Sequence, residues 1–411
     1  MKTLNKTMLA ALLILGAGVL CTAADRGSAK RELAPADPIL IANEDLAFPD
    51  NNGISVFDIQ GTQLTFSTAR VTAGFGIQGG FFGTQRLASL PSQSAPCVYV
   101  SDSGSNDISS MTLPNLEYVD AFPASDIDDG SGNGVGLAMN QNFLYAGFTT
   151  SGTIATFALQ PGCGLTFLGD VPATGLQGGT PAGMAVNASI LVVAYGDGSV
   201  ESFNVAGGVP VSNNDKQNTN GYGGGAIIAP RTTDNLPSGV DITQDGKFVI
   251  FGDISAATTI EVASLASGRI GKTKVYTVGN SQDAGNIRLS PDESLIYIAN
   301  SEGGAVTAAF FDPVTGAVAT GCTSPTLHGF AGRPWLGAVT TRDTSGAGGV
   351  VYVAEFGRDQ DEVNHGPSSA VGILSITVNG SSCTLAETAT SPQLLGLPGT
   401  LSIGVYPPRP F

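Results

Sequence analysis

Residues Ile296–Asn300, with the sequence Ile-Tyr-Ile-Ala-Asn, carry the pattern that decides the fold. An apolar run is followed by one small residue and then, in most copies, by a residue that forms hydrogen bonds. Seven copies occur, at Ile39–Asn43, Val98–Asp102, Leu144–Phe148, Leu191–Tyr195, Val249–Asp253, Ile296–Asn300 and Val351–Glu355. Successive copies begin 46 to 59 residues apart, a length that suits a four-stranded propeller blade. The repeat therefore predicts a seven-bladed β-propeller.

The apolar runs of the motif are continuous, whereas a strand with one wet face alternates apolar and polar residues. In a propeller each blade packs between two neighbours, so its inner strands are buried on both faces. Continuous apolar runs are the expected result. The fourth position is Ala, Gly or Ser in all seven copies, and we attribute this small residue to crowding near the central axis.

The two ends of the repeat region predict how the ring closes. Later copies follow a strand that begins with glycine, as in Gly239–Gly246, but the first copy has none before it. Leu401–Tyr406 has this pattern and no copy after it. We predict that it pairs with Ile39–Asn43, which removes an exposed sheet edge. Residues 38–411 would then form an all-β propeller of seven four-stranded antiparallel blades, closed by the C-terminal strand. The rival folds, a β-sandwich array and a β-solenoid, would lack such a strand.

The N terminus has the pattern of an export signal. Lys2 and Lys6 precede the apolar run Met8–Leu20, and Thr22–Ala24 supplies the small residues of a cleavage site. This order of positive, apolar and small residues is typical of a secretory signal peptide. We therefore predict that residues 1–24 are removed and that the protein is periplasmic or extracellular.

The rest of the chain has no stretch as long and as apolar as the signal. A membrane-spanning helix needs about 20 apolar residues, so we predict no membrane span. Residues 25–37, charged and containing Pro35, are expected to form a flexible leader. Acylation of Cys21 as in a lipoprotein is the alternative, although Leu20 beside it fits that signal poorly.

The composition excludes some partners. The net charge is −16, although only 13% of residues are charged. Such a surface repels nucleic acid and anionic lipid, so we expect neither as a partner. The 56 glycines favour strands and turns over helices. We expect a monomer that binds a small molecule, a glycan or an envelope protein.

Four cysteines follow the signal, and an even number in an oxidising compartment predicts two disulfides. From their places in the blades we predict the pairs Cys97–Cys163 and Cys322–Cys383, each joining adjacent blades. No pair has CxxC spacing and the two histidines lie elsewhere, so a zinc site is not expected.

The motif copies and the turns before them, such as Ser290–Asp292 and Gln244–Gly246, resemble YVTN-type propeller repeats. In layout the chain after the signal is similar to the lactonase-like seven-bladed propellers, which include 6-phosphogluconolactonases and cycloisomerases acting on muconate lactones. The resemblance covers all seven blades and implies the fold. No catalytic motif of the family matches residue by residue, so the resemblance implies the activity only as a class.

Loop lengths point to a site beside blades six, seven and one. The longest insertion, 356–369, and the connection between blades six and seven hold both histidines and the only tryptophan. Ring closure brings blade one next to blade seven. The ligand-binding residues predicted here are Glu44, Asp45, Asn300, His328, Trp335, Glu355, Asp361 and Glu362.

A lactone hydrolase needs a base for water and a donor for the carbonyl oxygen. We predict His365 as the base, because imidazole titrates near neutrality, and Arg333 or Arg358 as the stabiliser of the oxyanion. The hypothesis is hydrolysis of a lactone or a related sugar-acid derivative. The alternative is a non-catalytic propeller that binds a protein, glycan or envelope partner.

The motif ends also place oxygen donors on one rim of the ring. Calcium is the ion that prefers such donors. They sit on different blades around a wide ring, and hydrogen bonds to neighbouring loops explain them without an ion. We predict no metal and no cofactor, with calcium left open as the alternative. The oxygen donors are Asn43, Asp102, Asp253, Asn300 and Glu355.

Overall fold

Strands make up nearly all of the regular structure. A computed structural model of the protein describes residues 38–43, 51–76, 86–90, 96–123, 135–149, 151–218, 239–253, 257–328, 335–342, 348–356, 370–394 and 402–408. Within these ranges the only helical segments are the 3₁₀ turns Pro161–Cys163 and Ala266–Gly268. The all-β prediction is confirmed.

The strands of the described ranges are numbered in chain order. They are β1 Ile39–Asn43, β2 Asn51–Gln60, β3 Gln63–Phe75, β4 Leu87–Leu90, β5 Cys97–Asp102, β6 Asp107–Thr112, β7 Tyr118–Pro123, β8 Val135–Met139, β9 Phe143–Phe148, β10 Thr153–Leu159, β11 Leu165–Pro172, β12 Pro181–Val186, β13 Ile190–Tyr195, β14 Ser199–Asn204, β15 Val211–Ser212, β16 Gln217–Asn218, β17 Val240–Ile242, β18 Phe248–Asp253, β19 Thr259–Ser264, β20 Lys274–Thr277, β21 Ala284–Leu289, β22 Leu295–Asn300, β23 Ala305–Asp312, β24 Ala317–Thr323, β25 Trp335–Arg342, β26 Gly348–Phe356, β27 Ala370–Asn379, β28 Ser382–Glu387, β29 Gln393–Leu394 and β30 Ser402–Tyr406.

These strands form seven antiparallel sheets, one for each predicted blade. Blade one has the order β30-β1-β2-β3, and blade two β4-β5-β6-β7. Blades three to seven begin with β8, β12, β17, β21 and β25 and follow the chain outward. Two blades carry an extra short strand, because β16 pairs with β14 and β29 pairs with β27. Each motif copy is the second strand of its blade.

The C-terminal strand closes the ring as predicted. β30 pairs antiparallel with β1, with Ile39 opposite Tyr406 and Asn43 opposite Ser402. The innermost strands also contact one another in an unbroken circle, β30 to β4, β8, β12, β17, β21, β25 and back to β30. A sandwich array or a solenoid would leave this circle open, so both rival folds are excluded.

The buried core lies between the blades. The described residues contain seven hydrophobic clusters, and each draws its members from two adjacent blades. Leu40 and Phe57 of blade one, for example, pack with Tyr352 and Ile373 of blade seven. An open row of seven sheets would have six such interfaces. Seven interfaces require a closed ring, and burial on both faces explains the continuous apolar runs.

The small residue of the motif is crowded by the innermost strand of a neighbouring blade where the motif has glycine. It lies on the second strand of its blade, and at Gly147 and Gly252 it faces the innermost strand of the next blade, whereas Ala42 of blade one packs with blade seven. A Cβ atom on Gly252 would lie 2.3 Å from the Ala284 carbonyl oxygen of blade six. A Cβ atom on Gly147 would lie 3.0 Å from Met184 of blade four. Close packing of neighbouring blades therefore selects the small side chain.

Both predicted disulfides form. Cys97 of blade two joins Cys163 of blade three, with 5.4 Å between their Cα atoms. Cys322 of blade six joins Cys383 of blade seven, with 5.5 Å between their Cα atoms. Two disulfides are typical of proteins that fold outside the reducing cytosol.

The predictions for the N terminus concern residues that the structure does not describe. The signal peptide (residues 1–24) and the leader (residues 25–37) lie outside the described residues, which belong to the compact unit Asp37–Phe411. Within the described part of the chain, no helix has the length and hydropathy of a membrane span.

Candidate functional site

The blades present two faces with different connections. The crossing face carries the turns between second and third strands, such as Ser301–Gly304, and the connections from one blade to the next. The hairpin face, at the other end of the strands, carries the turns between first and second strands, such as Ser290–Ser294. The sequence prediction assigned the site to the crossing face.

Most residues of the predicted site lie outside the described ranges. Their catalytic or ligand-binding roles stay predictions. The site residues outside the described ranges are Glu44, Asp45, Arg333, Arg358, Asp361, Glu362 and His365. Of the described members, Trp335 opens β25, where its backbone pairs with Phe356.

Asn300 joins two blades. It is fully buried, and its Nδ2 donates hydrogen bonds to the Ala305 carbonyl oxygen at 2.8 Å and to Thr307 Oγ1 at 2.9 Å. Its Oδ1 accepts a hydrogen bond from Thr258 Oγ1 of blade five at 2.9 Å. These partners explain why a hydrogen-bonding residue recurs at the end of the motif.

Asp102 occupies the same position in blade two and is also enclosed by protein partners. It accepts hydrogen bonds from Asn52 at 2.8 Å and Thr72 at 2.6 Å, both of blade one, and from Ser109 at 2.6 Å. Among the described residues no group of three or more His, Cys, Asp and Glu side chains is placed to hold a metal ion.

His328 forms a dyad with a residue that the sequence did not single out. Its Nδ1 lies 2.6 Å from Glu387 Oε2, and its backbone N–H donates to the same oxygen at 3.3 Å. Glu387 ends β28, the outer strand of blade seven, and is 59 residues away in sequence. When Nδ1 carries the proton shared with the carboxylate, Nε2 is the basic atom of the neutral ring.

The environment of the dyad favours this use of the imidazole. The His328 side chain is 83% exposed, whereas that of Glu387 is 12% exposed. Ser391 Oγ donates to Glu387 Oε1 at 2.8 Å and accepts from the Ile373 backbone N–H at 3.0 Å. Glu387 is thus held against β27, and it orients a ring that solvent and a ligand can reach.

Glu355 is a second carboxyl group at this end of blade seven. It is 1% exposed, and neither of its carboxylate oxygens has a hydrogen-bond partner among the described residues. Burial, and to a smaller extent the charge of Glu387, raises the pKa of Glu355 to about 8. The group is therefore protonated at neutral pH.

Gly372 on β27 provides the space for this carboxyl group. A Cβ atom at Gly372 would lie 2.3 Å from Glu355 Oε1, which is far inside van der Waals contact. Leu336 pairs with Glu355 across β25 and β26, and its backbone N–H donates to the Ser301 carbonyl oxygen at 3.2 Å. Glu355 therefore faces the boundary between blades six and seven.

A cavity of about 300 Å³ lies at the other end of the molecule, on the ring axis. All seven innermost strands line it, mainly with residues at or near their C-terminal ends, which places it at the hairpin face. Its charged residues are Asp241, Arg288 and Arg342. The sequence pattern pointed only to the crossing face and missed this cavity.

The geometry defines a seven-bladed β-propeller, and comparison with known proteins gives its family. A model of the family "Lactonase, 7-bladed beta-propeller" matches residues 100–391. The chain belongs to this family. No curated protein sequence matches it.

Solved structures share the fold at low sequence identity. A protein from Bacteroides fragilis proposed to be a 6-phosphogluconolactonase has 14% identity and a TM-score of 0.62, covering 90% of this chain and 98% of its own. The periplasmic gluconolactonase of Pseudomonas aeruginosa has 12% identity and a TM-score of 0.60, with the same coverage. A protein from Lactobacillus plantarum has 13% identity and a TM-score of 0.64, covering 90% and 99%. At these identities the likeness extends to the fold alone.

Proposed function

We propose that this protein is an exported lactonase that hydrolyses a lactone or a related sugar-acid derivative on the crossing face beside blades six, seven and one. The observation that carries the proposal is the dyad of His328 and Glu387. A carboxylate that orients an accessible imidazole is the arrangement that general-base catalysis uses. Membership of the lactonase family supports the substrate class.

In the proposed reaction His328 Nε2 takes a proton from water while the water oxygen forms a bond to the lactone carbonyl carbon. The carbonyl electron pair moves to oxygen, and Arg333 or Arg358 stabilises the resulting oxyanion. The oxyanion then re-forms the carbonyl while the ring C–O bond breaks, and the leaving oxygen takes the proton back from the imidazolium. The product is the open hydroxy acid, which releases one proton at neutral pH.

This proposal gives the role of general base to a different histidine from the one predicted from the sequence. His365 was predicted as the base, whereas the contacts of the described residues favour His328. His365 then belongs to the ligand-binding set with Asp361, Glu362 and Trp335. The proximity of Arg333 to His328 in sequence favours Arg333 over Arg358 as the partner of the oxyanion.

The test is hydrolysis of a panel of lactones, measured from the protons released. We expect His328→Gln to lower kcat/KM by about 100-fold or more, which is the usual contribution of a general base. Glu387→Gln should lower it at least tenfold by loss of orientation. His365→Gln changes the other histidine of the chain, and because His365 is proposed only to bind the ligand, this variant should raise KM more than it lowers kcat.

Two outcomes would contradict the proposal. A folded protein that hydrolyses no lactone of the panel would favour the alternative function, a non-catalytic propeller that binds a protein, glycan or envelope partner. Full activity in His328→Gln together with loss of activity in His365→Gln would return the role of base to His365.

The proposal of export rests on the signal pattern of residues 1–24 and on the two disulfides. Expression of the full chain should yield a periplasmic or secreted protein that begins at Asp25. Sequencing of its N terminus checks this, and a retained, acylated Cys21 would show a lipoprotein instead.

A further inference from the structure

One of the two disulfides joins the chain segments that carry the dyad. Cys322 lies on β24, the outer strand of blade six, and His328 lies in the connection that follows this strand. Cys383 lies on β28, the outer strand of blade seven, and Glu387 is the last residue of the same strand. The disulfide and the hydrogen bond between His328 and Glu387 therefore connect the same two segments at two points.

The two members of the dyad are held by different blades. The Leu327 backbone N–H, next to His328, donates to the Gly304 carbonyl oxygen of blade six at 2.8 Å. Glu387 is held in blade seven by the pairing of β28 with β27 and by the hydrogen bond from Ser391. The geometry of the dyad therefore depends on how the outer strands of the two blades are held together.

The disulfide fixes the spacing of these outer strands. β24 and β28 are in contact, and the Cα atoms of Cys322 and Cys383 are 5.5 Å apart. Gly321 permits this approach, because a Cβ atom there would lie 3.2 Å from Cys383 Sγ, a tight contact. Leu327 and Leu385 pack in the hydrophobic cluster between the same two blades. The cluster holds the blades together, and the disulfide adds a covalent link between the strands that lead to the dyad.

The two disulfides differ in exposure. Cys97 and Cys163 are 3% and 0% exposed, so their disulfide is sealed between blades two and three. Cys322 and Cys383 are only partly buried. Thiol–disulfide exchange requires that a thiolate reach one of the two sulfur atoms. A small thiol should therefore reduce Cys322–Cys383 before it reduces Cys97–Cys163.

We propose that the Cys322–Cys383 disulfide positions the dyad, and that its reduction by a small dithiol uncouples His328 from Glu387. One thiolate of the reductant attacks a sulfur atom and forms a mixed disulfide, which its second thiolate then breaks. The protein gains two electrons and two protons as two thiols, and the reductant leaves as its own disulfide. The effect on hydrolysis rests on the proposed function, whereas the orientation of His328 does not.

Nitrogen NMR on untagged protein with isotope-labelled histidine tests the orientation without a substrate. Because Glu387 accepts the proton on Nδ1 of the neutral ring, His328 of the oxidised protein should be mainly the Nδ1–H tautomer. Reduction of Cys322–Cys383 by dithiothreitol should shift it toward the Nε2–H tautomer that free histidine prefers. His365→Gln assigns the signals, because the chain has only two histidines. Alkylation and peptide mass spectrometry verify which disulfide was reduced.

Paired variants test the effect on hydrolysis. Cys322→Ala together with Cys383→Ala should lower kcat about tenfold with little change in KM, because a misplaced base slows the chemical step and not binding. The matched control is Cys97→Ala together with Cys163→Ala, which removes a disulfide of similar sequence separation at another blade boundary and should keep the kcat of wild type. Dithiothreitol should lower kcat of wild type and of the control. If the first double variant does not fold, reduced wild type supplies the measurement.

The proposal is overturned if the His328 tautomer is the same in the oxidised and reduced proteins, or if Cys97–Cys163 is reduced as fast as Cys322–Cys383. An equal loss of kcat in the two double variants would also overturn it, because the loss would then follow from stability alone. If no lactone is hydrolysed but the tautomer changes on reduction, the proposed function fails and the positioning of the dyad stands.

Discussion

At the residue scale, the buried carboxyl group of Glu355 makes the stability of the fold depend on pH. Its carboxyl group is buried without a partner among the described residues, so the charged form is disfavoured and the pKa rises to about 8. In the unfolded chain the group ionises near its ordinary value of 4.5. The folded state therefore binds more protons than the unfolded state between these values, and stability falls as pH rises through this window.

Glu355→Gln should remove that pH dependence. Relative to this variant, wild type should lose on the order of 3 kcal/mol of unfolding free energy between pH 5 and pH 8. Urea unfolding of both proteins at the two pH values measures the difference. Glu117→Gln, a change at an exposed glutamate, should leave the pH dependence of wild type unchanged. Parallel curves for wild type and Glu355→Gln would show that Glu355 ionises freely in the fold.

The residues of the candidate site were only partly predictable. His328 and Glu355 were expected in the site because the repeat register assigns them to the crossing face. Glu387 was not expected in the site, because its role depends on a contact between the outer strand of blade seven and a histidine 59 residues away. Sequence spacing within one blade carries no signal for such a contact between blades.

At the element scale, the motif strand shows why the fold could be predicted. Its apolar run and its small residue both follow from packing between two neighbouring blades, and the pattern is visible in every copy. The sequence does not show which neighbour crowds the small residue, because that depends on how the blades stack. Gly252 is packed against the backbone of β21, the innermost strand of blade six.

Gly252→Ala should therefore destabilise the protein. The new Cβ atom would lie 2.3 Å from a backbone oxygen that cannot rotate away, and overpacking of this kind costs about 1–3 kcal/mol. The matched change Gly164→Ala places a Cβ atom 3.4 Å from Gln160 Cβ, an ordinary contact, and should cost much less. Equal denaturation midpoints for the two variants would contradict close packing of the blades at Gly252.

At the scale of the whole molecule, the closed ring brings together residues from both ends of the chain. β30 pairs with β1 and also forms one wall of the axial cavity with Ile403 and Val405. Closure was predictable because one strand pattern was missing at the start and present at the end. The cavity was not predictable from the sequence, because its polarity depends on which side chains of seven separate strands meet at the axis.

The two disulfides each cross one blade interface and close loops of nearly equal length, with sequence separations of 66 and 61 residues. Replacing Cys97 and Cys163 together by Ala should therefore cost about 2–4 kcal/mol, and the same change at Cys322 and Cys383 a similar amount. Urea unfolding of both double variants measures this. Wild-type stability in either double variant would mean that the disulfide removed there does not constrain the unfolded chain.

Chemical rescue of His328 tests the central claim most directly. His328→Gly leaves an exposed gap beside Glu387 that free imidazole can enter, so added imidazole should restore lactone hydrolysis in a saturable manner. His365→Gly should show no such dependence on imidazole. If His328→Gly hydrolyses lactones as wild type does, or if imidazole rescues His365→Gly instead, the dyad of His328 and Glu387 is not the catalytic base.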